Sequence, residues 1–222
     1  MSYNVAIDGP AGAGKSTIAK AIAKKCGFIY VDTGAMYRAM ALFMLREGVD
    51  PQDAEAISNK CQEADITIAY ENGEQVVYLN GENVNAYLRT EEVGNMASTT
   101  SVQPAVRKKL VELQQALAAK SDCIMDGRDI GTCVLPNAQV KIYLTASSAV
   151  RAKRRFDELT AKGEACDLVK IQADIEERDY RDMHREHSPL KQADDAVLVD
   201  SSEMTVDEVI AHIIQICEER KA

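Results

Sequence analysis

A chain of 222 residues that is 46% hydrophobic and 27% charged carries enough apolar material for one sizeable core with small appendages. Its formal net charge of -9 argues against a nucleic-acid-binding surface, which would be basic, so any site for an anionic ligand must concentrate arginines against the overall sign. No apolar run approaches the length that spans a bilayer, and Met1 to Asn4 leads into the first strand without a secretory signal, so a cytoplasmic protein with no membrane partner is expected.

Val5-Ala6-Ile7-Asp8 reads as the end of a short buried strand over Asn4–Asp8. Gly9-Pro10-Ala11-Gly12-Ala13-Gly14-Lys15-Ser16-Thr17 follows, matching the phosphate-loop pattern G-x-x-x-x-G-K-[ST] at every fixed position. Glycines let the backbone wrap closely around phosphate oxygens with N–H groups pointing inward. Lys15 adds a mobile positive charge, Ser16 offers a hydroxyl to Mg²⁺, and a helix starting here aims its positive dipole end at the anion. Lys15–Cys26 is predicted as that helix, with Ile18, Ala19, Ile22 and Ala23 on one face. The run implies binding of a nucleoside triphosphate.

A second strand is predicted at Phe28–Asp32, and Asp32-Thr33-Gly34-Ala35-Met36-Tyr37-Arg38 opens the next helix. Strand carboxyl ends in an open α/β sheet face one crevice, so Thr33 and Arg38 are expected on the acceptor side of the triphosphate; a solvated Arg38 is the plainer alternative. Beyond a helical stretch from Asp53 to Glu63 the alternation breaks. Ile66–Tyr70 and Gln75–Leu79, with Asn72-Gly73 and Asn80-Gly81 between and after them, form a predicted antiparallel meander inserted into one domain.

Cys123–Asp126 is the third core strand, leading into Asp126-Gly127-Arg128-Asp129-Ile130-Gly131. Glycines flanking an Arg-Asp pair suggest backbone forced close to a ligand, and Asp126 stands where a carboxylate could hold the hydration shell of Mg²⁺. After the strand Val140–Leu144 come Arg151, Arg154 and Arg155, upstream of Lys162-Gly163-Glu164; they read as the base of a mobile lid or as a solvated helix face. Arg178, Asp182 and Arg185 fall at i, i+4 and i+7 on one helix face, which suits a surface ion-pair ladder as well as a clamp on a phosphorylated substrate. A strand at Ala196–Asp200 and a helix opened by the capping box Thr205-Val206-Asp207-Glu208 complete the chain. Cys26, Cys61, Cys123, Cys133, Cys166 and Cys217 form no C-x-x-C pair and are expected to be small buried hydrophobes, while His184 and His187 lack a nearby third metal ligand.

Together these segments resemble the bacterial cytidylate kinases, nucleoside-monophosphate kinases of the P-loop class, over nearly the whole chain. The resemblance rests on Gly9–Thr17, Asp32-Thr33-Gly34 with Tyr37-Arg38, Gly127–Thr132 and Arg178-Asp179 through Asp182 to Arg185, in that order. It implies the P-loop NTPase fold: a parallel five-stranded sheet flanked by helices, with a small antiparallel β insertion and a lid. It implies a single kinase domain over 1–222, with a monophosphate-binding part at 36–100, the insertion at 64–88 and the lid at 150–168. It also implies transfer of the γ-phosphoryl group of ATP to CMP or dCMP with Mg²⁺, in pyrimidine nucleotide metabolism, by a monomer. Arg38, Arg128 and Arg178 are then expected around the acceptor's phosphate and sugar, Ser98, Arg107, Asp129 and Arg185 around cytosine, and Asp182 at the ribose. Ser98 and Arg107 enter through the resemblance alone.

Cytosine offers an amino donor beside ring acceptors, so a carboxylate facing the amino group and arginines facing the acceptors fit it. Adenylate or small-metabolite kinases on the same fold remain the neighbouring alternative, disfavoured by the Arg-Asp constellation and the meander. A GTPase would need Asn-Lys-x-Asp, whereas Asn59-Lys60 is followed by Cys61-Gln62. A nucleic-acid-dependent ATPase is disfavoured by the acidic balance.

Overall fold

Short apolar runs ending in acidic or glycine residues alternate with helical stretches along this chain, and the computed structural model, which describes Ser2–Lys221, folds them accordingly. The elements are β1 (Asn4–Asp8), α1 (Lys15–Cys26), β2 (Ile29–Asp32), α2 (Thr33–Arg46), α3 (Ala54–Lys60), β3 (Ile66–Glu71), β4 (Glu74–Leu79), β5 (Glu82–Asn83), α4 (Glu91–Thr100) and α5 (Pro104–Lys120). They continue with β6 (Cys123–Gly127), β7 (Val140–Thr145), α6 (Ser148–Ala161), α7 (Leu168–His184), β8 (Val197–Asp200) and α8 (Val206–Glu219). A five-stranded sheet and a separate three-stranded sheet result. The chain divides into two compact units, one spanning Ile29–Ser121 with the first residues, the other Tyr3–Phe28 with the residues from Asp122 onward.

The second unit holds four strands of the larger sheet, in the order β6-β1-β7-β8 and all parallel. Val5, Ala6 and Ile7 of β1, Ile124 and Met125 of β6, and Leu144 of β7 are wholly buried, which is why these strands read as continuous apolar runs. Ile18, Ala19, Ile22 and Ala23 make the inner stripe of α1. Val209, Ile210 and Ile213 do the same for α8, and burying each such branched side chain stabilises by about 1.5–3 kcal/mol. The α8 capping box is formed: Thr205 Oγ1 accepts from Glu208 N, and the Glu208 carboxylate accepts from Thr205 N. Parallel register puts Ile7 opposite Asp126 and Asp8 opposite Gly127, so the phosphate-loop run and the Gly127–Gly131 run leave adjacent strand ends on the same side.

In the first unit, β3 and β4 pair antiparallel and β5 adds to β4. Asn72 and Gly73 take φ of 53° and 81°, Asn80 and Gly81 φ of 50° and 81°, the left-handed pairs that tight hairpin turns need. Met36, Met40 and Met44 of α2 are wholly buried, and α2 packs on α4 and β4. The stretch predicted as one helix over Asp53–Glu63 is α3, capped by the Asp53 side chain on Ala56 N, followed by a 3-10 turn at Cys61–Glu63. Cysteine burial is less uniform than expected: Cys61, Cys123 and Cys217 are buried, Cys26 and Cys166 partly so, and Cys133 is exposed on the turn after β6. No helix of the described residues is long and apolar enough to cross a membrane.

Candidate active site

The phosphate loop is a backbone construction. Gly9 takes φ 149°, and a Cβ there would sit 1.9 Å from the Leu144 carbonyl oxygen, so only glycine admits the chain between β1 and β7. Gly14, at φ 88°, is the N-cap of α1 and supplies no side-chain acceptor. The first N–H groups of α1 are therefore left to an anion, at the positive end of the helix dipole. Lys15 is buried and donates to the Pro10 carbonyl at 2.8 Å. Burial, and then the nearby Arg128 charge, pull its pKa down to about 7 against the attraction of Asp126, Asp8 and Asp182. An incoming phosphate would reverse that balance by supplying the missing anion.

Ser16 Oγ donates to Asp126 Oδ2 at 2.9 Å. Two hard oxygen groups at the mouth of the loop suit a Mg²⁺ ion that brings phosphate and water oxygens with it. Among the described residues no three His, Cys, Asp or Glu side chains gather as a metal-binding cluster.

Beyond β6 the chain makes a π-type turn at Ile130–Val134. Arg128 Nε donates to Asp182 Oδ2 at 2.8 Å, linking this run to α7. Asp129 is buried, with Arg185 Nη2 3.7 Å from its Oδ1. Lys15, the Ser16–Asp126 pair, the Arg128–Asp182 pair and Arg185 with Asp129 thus lie in one unit. With the phosphate loop, the Arg-Asp turn and α7 in place, the cytidylate kinase family model matches residues 5–219.

This chain belongs to the cytidylate kinase family. It is 53% identical over 217 residues to a cytidylate kinase of Lactobacillus johnsonii, covering 98% of this chain and 94% of that one. A cytidylate kinase of Ligilactobacillus salivarius is 50% identical over 216 residues, covering 97% and 96%, and one of Caldicellulosiruptor bescii is 47% identical over 213 residues, covering 96% and 94%. A solved structure of an uncharacterised protein from Eubacterium ventriosum shares the fold at 12% identity, with a TM-score of 0.52 over 98% of this chain and 99% of that one.

Other residues that the cytidylate kinase resemblance singles out have more varied settings. Arg178 is exposed on α7. Arg185 is not on the helix face that its spacing suggested: α7 ends at His184, and Arg185 is its C-cap in extended conformation with ψ 143°. Its Nε donates to the Ser188 carbonyl, and that loop bond turns the side chain toward Asp129. The three arginines of α6 diverge. Arg151 is buried and donates to the carbonyls of Ala146 and Ala11 and to Asp179 Oδ2 at 2.6 Å. Arg154 donates to Ser201, and exposed Arg155 pairs with Glu158.

In the first unit, Thr33 is buried at the start of α2, where Asp32 caps the helix by accepting from Ala35 N. Arg38 is half-buried one turn on, its Nη1 3.3 Å from where a Cβ on Gly34 would lie. Arg107 is buried on α5 with its guanidinium 5.9 Å from the Tyr37 ring centroid, and Ser98 is exposed on α4. Two acids in the second unit have roles that the sequence did not assign. Asp8 accepts from the Ile130 and Gly131 N–H groups, and Asp179 holds Arg151. An acidic residue closing an apolar strand just before Gly9 was the available signal for the first; the second stands in the Arg178-Asp179 pair of the family resemblance, which gave it no role of its own.

Proposed function

We propose that this chain transfers the γ-phosphoryl group of ATP to CMP or dCMP, giving CDP or dCDP and ADP. The observation that carries the reading is one unit holding the phosphate loop with Lys15, the Ser16–Asp126 pair and the Arg128–Asp182 pair, in a chain of the cytidylate kinase family. Gly9–Thr17 would wrap the ATP phosphates, with Lys15 following the β- and γ-oxygens. Ser16, and Asp126 through water, would hold the Mg²⁺ that arrives with ATP, whose charge would offset that of the transferring group.

Little covalent chemistry falls to the protein in phosphoryl transfer, so its residues position and neutralise. Arg128 would span acceptor phosphate and transferring group, kept in place by Asp182. Arg151, Arg154 and Arg155 would approach the phosphoryl as the lid at 150–168 closes, which for Arg151 requires exchanging Asp179 and Ala11 for substrate. Asp129 with Arg185 would read the cytosine edge, Asp182 the ribose, and Arg178 the phosphate and sugar. Arg38 and Ser98, in the part at 36–100 that carries the insertion, and Arg107 beyond it are assigned to CMP from the family resemblance, and Thr33 from its place at the end of β2. The enzyme is proposed to work as a cytoplasmic monomer in pyrimidine nucleotide metabolism, without nucleic-acid or membrane partners.

A coupled assay with MgATP against CMP, dCMP, UMP, AMP and shikimate tests the reading. CMP and dCMP should give the highest kcat/KM. AMP or shikimate exceeding both would replace it with another kinase of the same class.

A further inference from the structure

Asp8 is the last residue of β1, immediately before Gly9, and it is 5% exposed. Its two carboxylate oxygens each accept one hydrogen bond from consecutive backbone groups: Oδ1 from Ile130 N and Oδ2 from Gly131 N, both at 2.7 Å. Those are the first N–H groups of the turn that follows Asp129, whose N-cap has no side-chain bond of its own. Asp8 therefore caps that turn from another strand, 122 residues away in sequence. The fit is close. A Cβ on Gly131 would stand 3.3 Å from Asp8 Oδ2 and 3.2 Å from Lys141 Cδ, so glycine is what lets the carboxylate lie against the turn.

The groups around Asp8 come from each neighbouring element. Lys15 of α1 attracts it and Asp129 repels it. Tyr143 of β7 feels its charge, and Lys141 turns its ammonium away to Asp195 and the Pro136 carbonyl. A buried acid without a full salt bridge is retained here by two charge-assisted backbone bonds.

We propose that Asp8 is a positioning residue for the acceptor side of the site: by capping the turn it fixes where Arg128 and Asp129 stand relative to the phosphate loop that begins at the next residue. The inference rests on the cytidylate-transfer reading for what Arg128 and Asp129 hold. Both Asp8 oxygens are engaged by the turn, so its action on the site runs through Arg128 and Asp129. Asp8→Asn keeps the shape but leaves one oxygen for two donors and turns an amide N–H₂ toward the other.

The test combines kinetics with amide exchange in the full chain. Asp8→Asn should raise the KM for CMP about tenfold, as expected for loss of a buried hydrogen bond to a charged acceptor. The KM for ATP should move less, because the phosphate loop keeps its own glycine geometry. Exchange of the Ile130 and Gly131 amides should accelerate, while that of α8 amides stays unchanged. In a double variant with Asp129→Asn, the two losses should fall well short of multiplying. Gly131→Ala crowds the same junction, its Cβ 3.3 Å from Asp8 Oδ2, while keeping the Asp8 carboxylate itself, and it should reproduce the CMP-selective loss should Asp8→Asn fold poorly. Unchanged Ile130 and Gly131 exchange, or equal changes in both KM values, overturns the inference. An Asp129→Asn variant with normal CMP kinetics instead sinks the base-reading role of Asp129, and the exchange and CMP KM of Asp8→Asn still decide the capping.

Discussion

Arg151 donates from Nη2 to Oδ2 of Asp179 at 2.6 Å, and both side chains are largely buried. The same guanidinium holds the carbonyl of Ala11, inside the phosphate loop, through Nη1 at 2.9 Å. The other oxygen of Asp179 has no hydrogen-bond partner, so Arg151 carries most of its compensation. Removing one partner of a buried pair leaves the other charge stranded, at about 3–5 kcal/mol. Arg151→Ala should therefore lower stability in urea by an amount of that order, and Asp179→Asn by less, because an amide can still accept from Arg151. Equal, small losses for both would show the pair to be solvated in solution.

Lys15→Ala should nearly abolish phosphoryl transfer in a chain that still folds. Lys15 is buried and donates to the Pro10 carbonyl of its own loop, and desolvation already disfavours its charge. Losing it costs the fold little and the transition state much. Circular dichroism checks folding; turnover above about a tenth of wild type contradicts the role.

Activity should require Mg²⁺, and EDTA should stop it without altering the melting transition. Ser16 Oγ donates directly to Asp126 Oδ2, so each of these groups holds the other within the fold. Asp126→Asn should raise the Mg²⁺ concentration needed for half-maximal rate. A shift in melting temperature on adding EDTA to the isolated protein would point to a resident metal instead.

Local signals were legible where a residue's partner lies a few positions away. Thr205 and Glu208, or Asn72 and Gly73, act within one turn, and the α1 stripe recurs at helical spacing. Strand ends were legible too, since β1, β6 and β7 are apolar runs bounded by turn residues. What spacing cannot carry is an interaction set by tertiary register. Asp8 binds backbone N–H groups, which leave no side-chain signature, and Arg185 left the face of α7 because a loop bond to Ser188 ended the helix. α5 was missed because its inner stripe includes Arg107 and Gln114 among Val106, Leu110 and Ala118, which weakens the apolar period.

Asp8 also gives the stability a pH dependence. Burial, ahead of every other cause, raises its pKa from 3.8 to about 6, although the Gly131 and Ile130 N–H bonds lower it. A raised carboxylate binds its proton more tightly in the folded chain than in the unfolded one. Its contribution is fully present below the unfolded value and is lost as pH rises through about 6. A shift of about two units corresponds to about 3 kcal/mol. Urea unfolding of wild type and Asp8→Asn between pH 4 and 7 should show the wild type losing stability relative to the variant as pH rises. Parallel curves would place the Asp8 pKa near its unfolded value.

Asp129 should decide the choice of base. It is buried, so a group approaching it meets the carboxylate with little water to screen a mismatch. Cytosine would present an amino donor there, uracil a carbonyl that opposes acceptor to acceptor, and one good base-edge contact discriminates by about 1–3 kcal/mol. Arg185 Nη2 lies 3.7 Å from Asp129 Oδ1 and would offer a donor to the neighbouring ring acceptor. Asp129→Asn can donate as well as accept, so kcat/KM for CMP should fall while that for UMP falls less or rises. The ratio of the two, measured at saturating MgATP, should narrow by about tenfold. A ratio that holds while both activities fall would assign Asp129 to the placement of Arg128 and Arg185, and base selection would then rest with Ser98, Arg107 and Arg185.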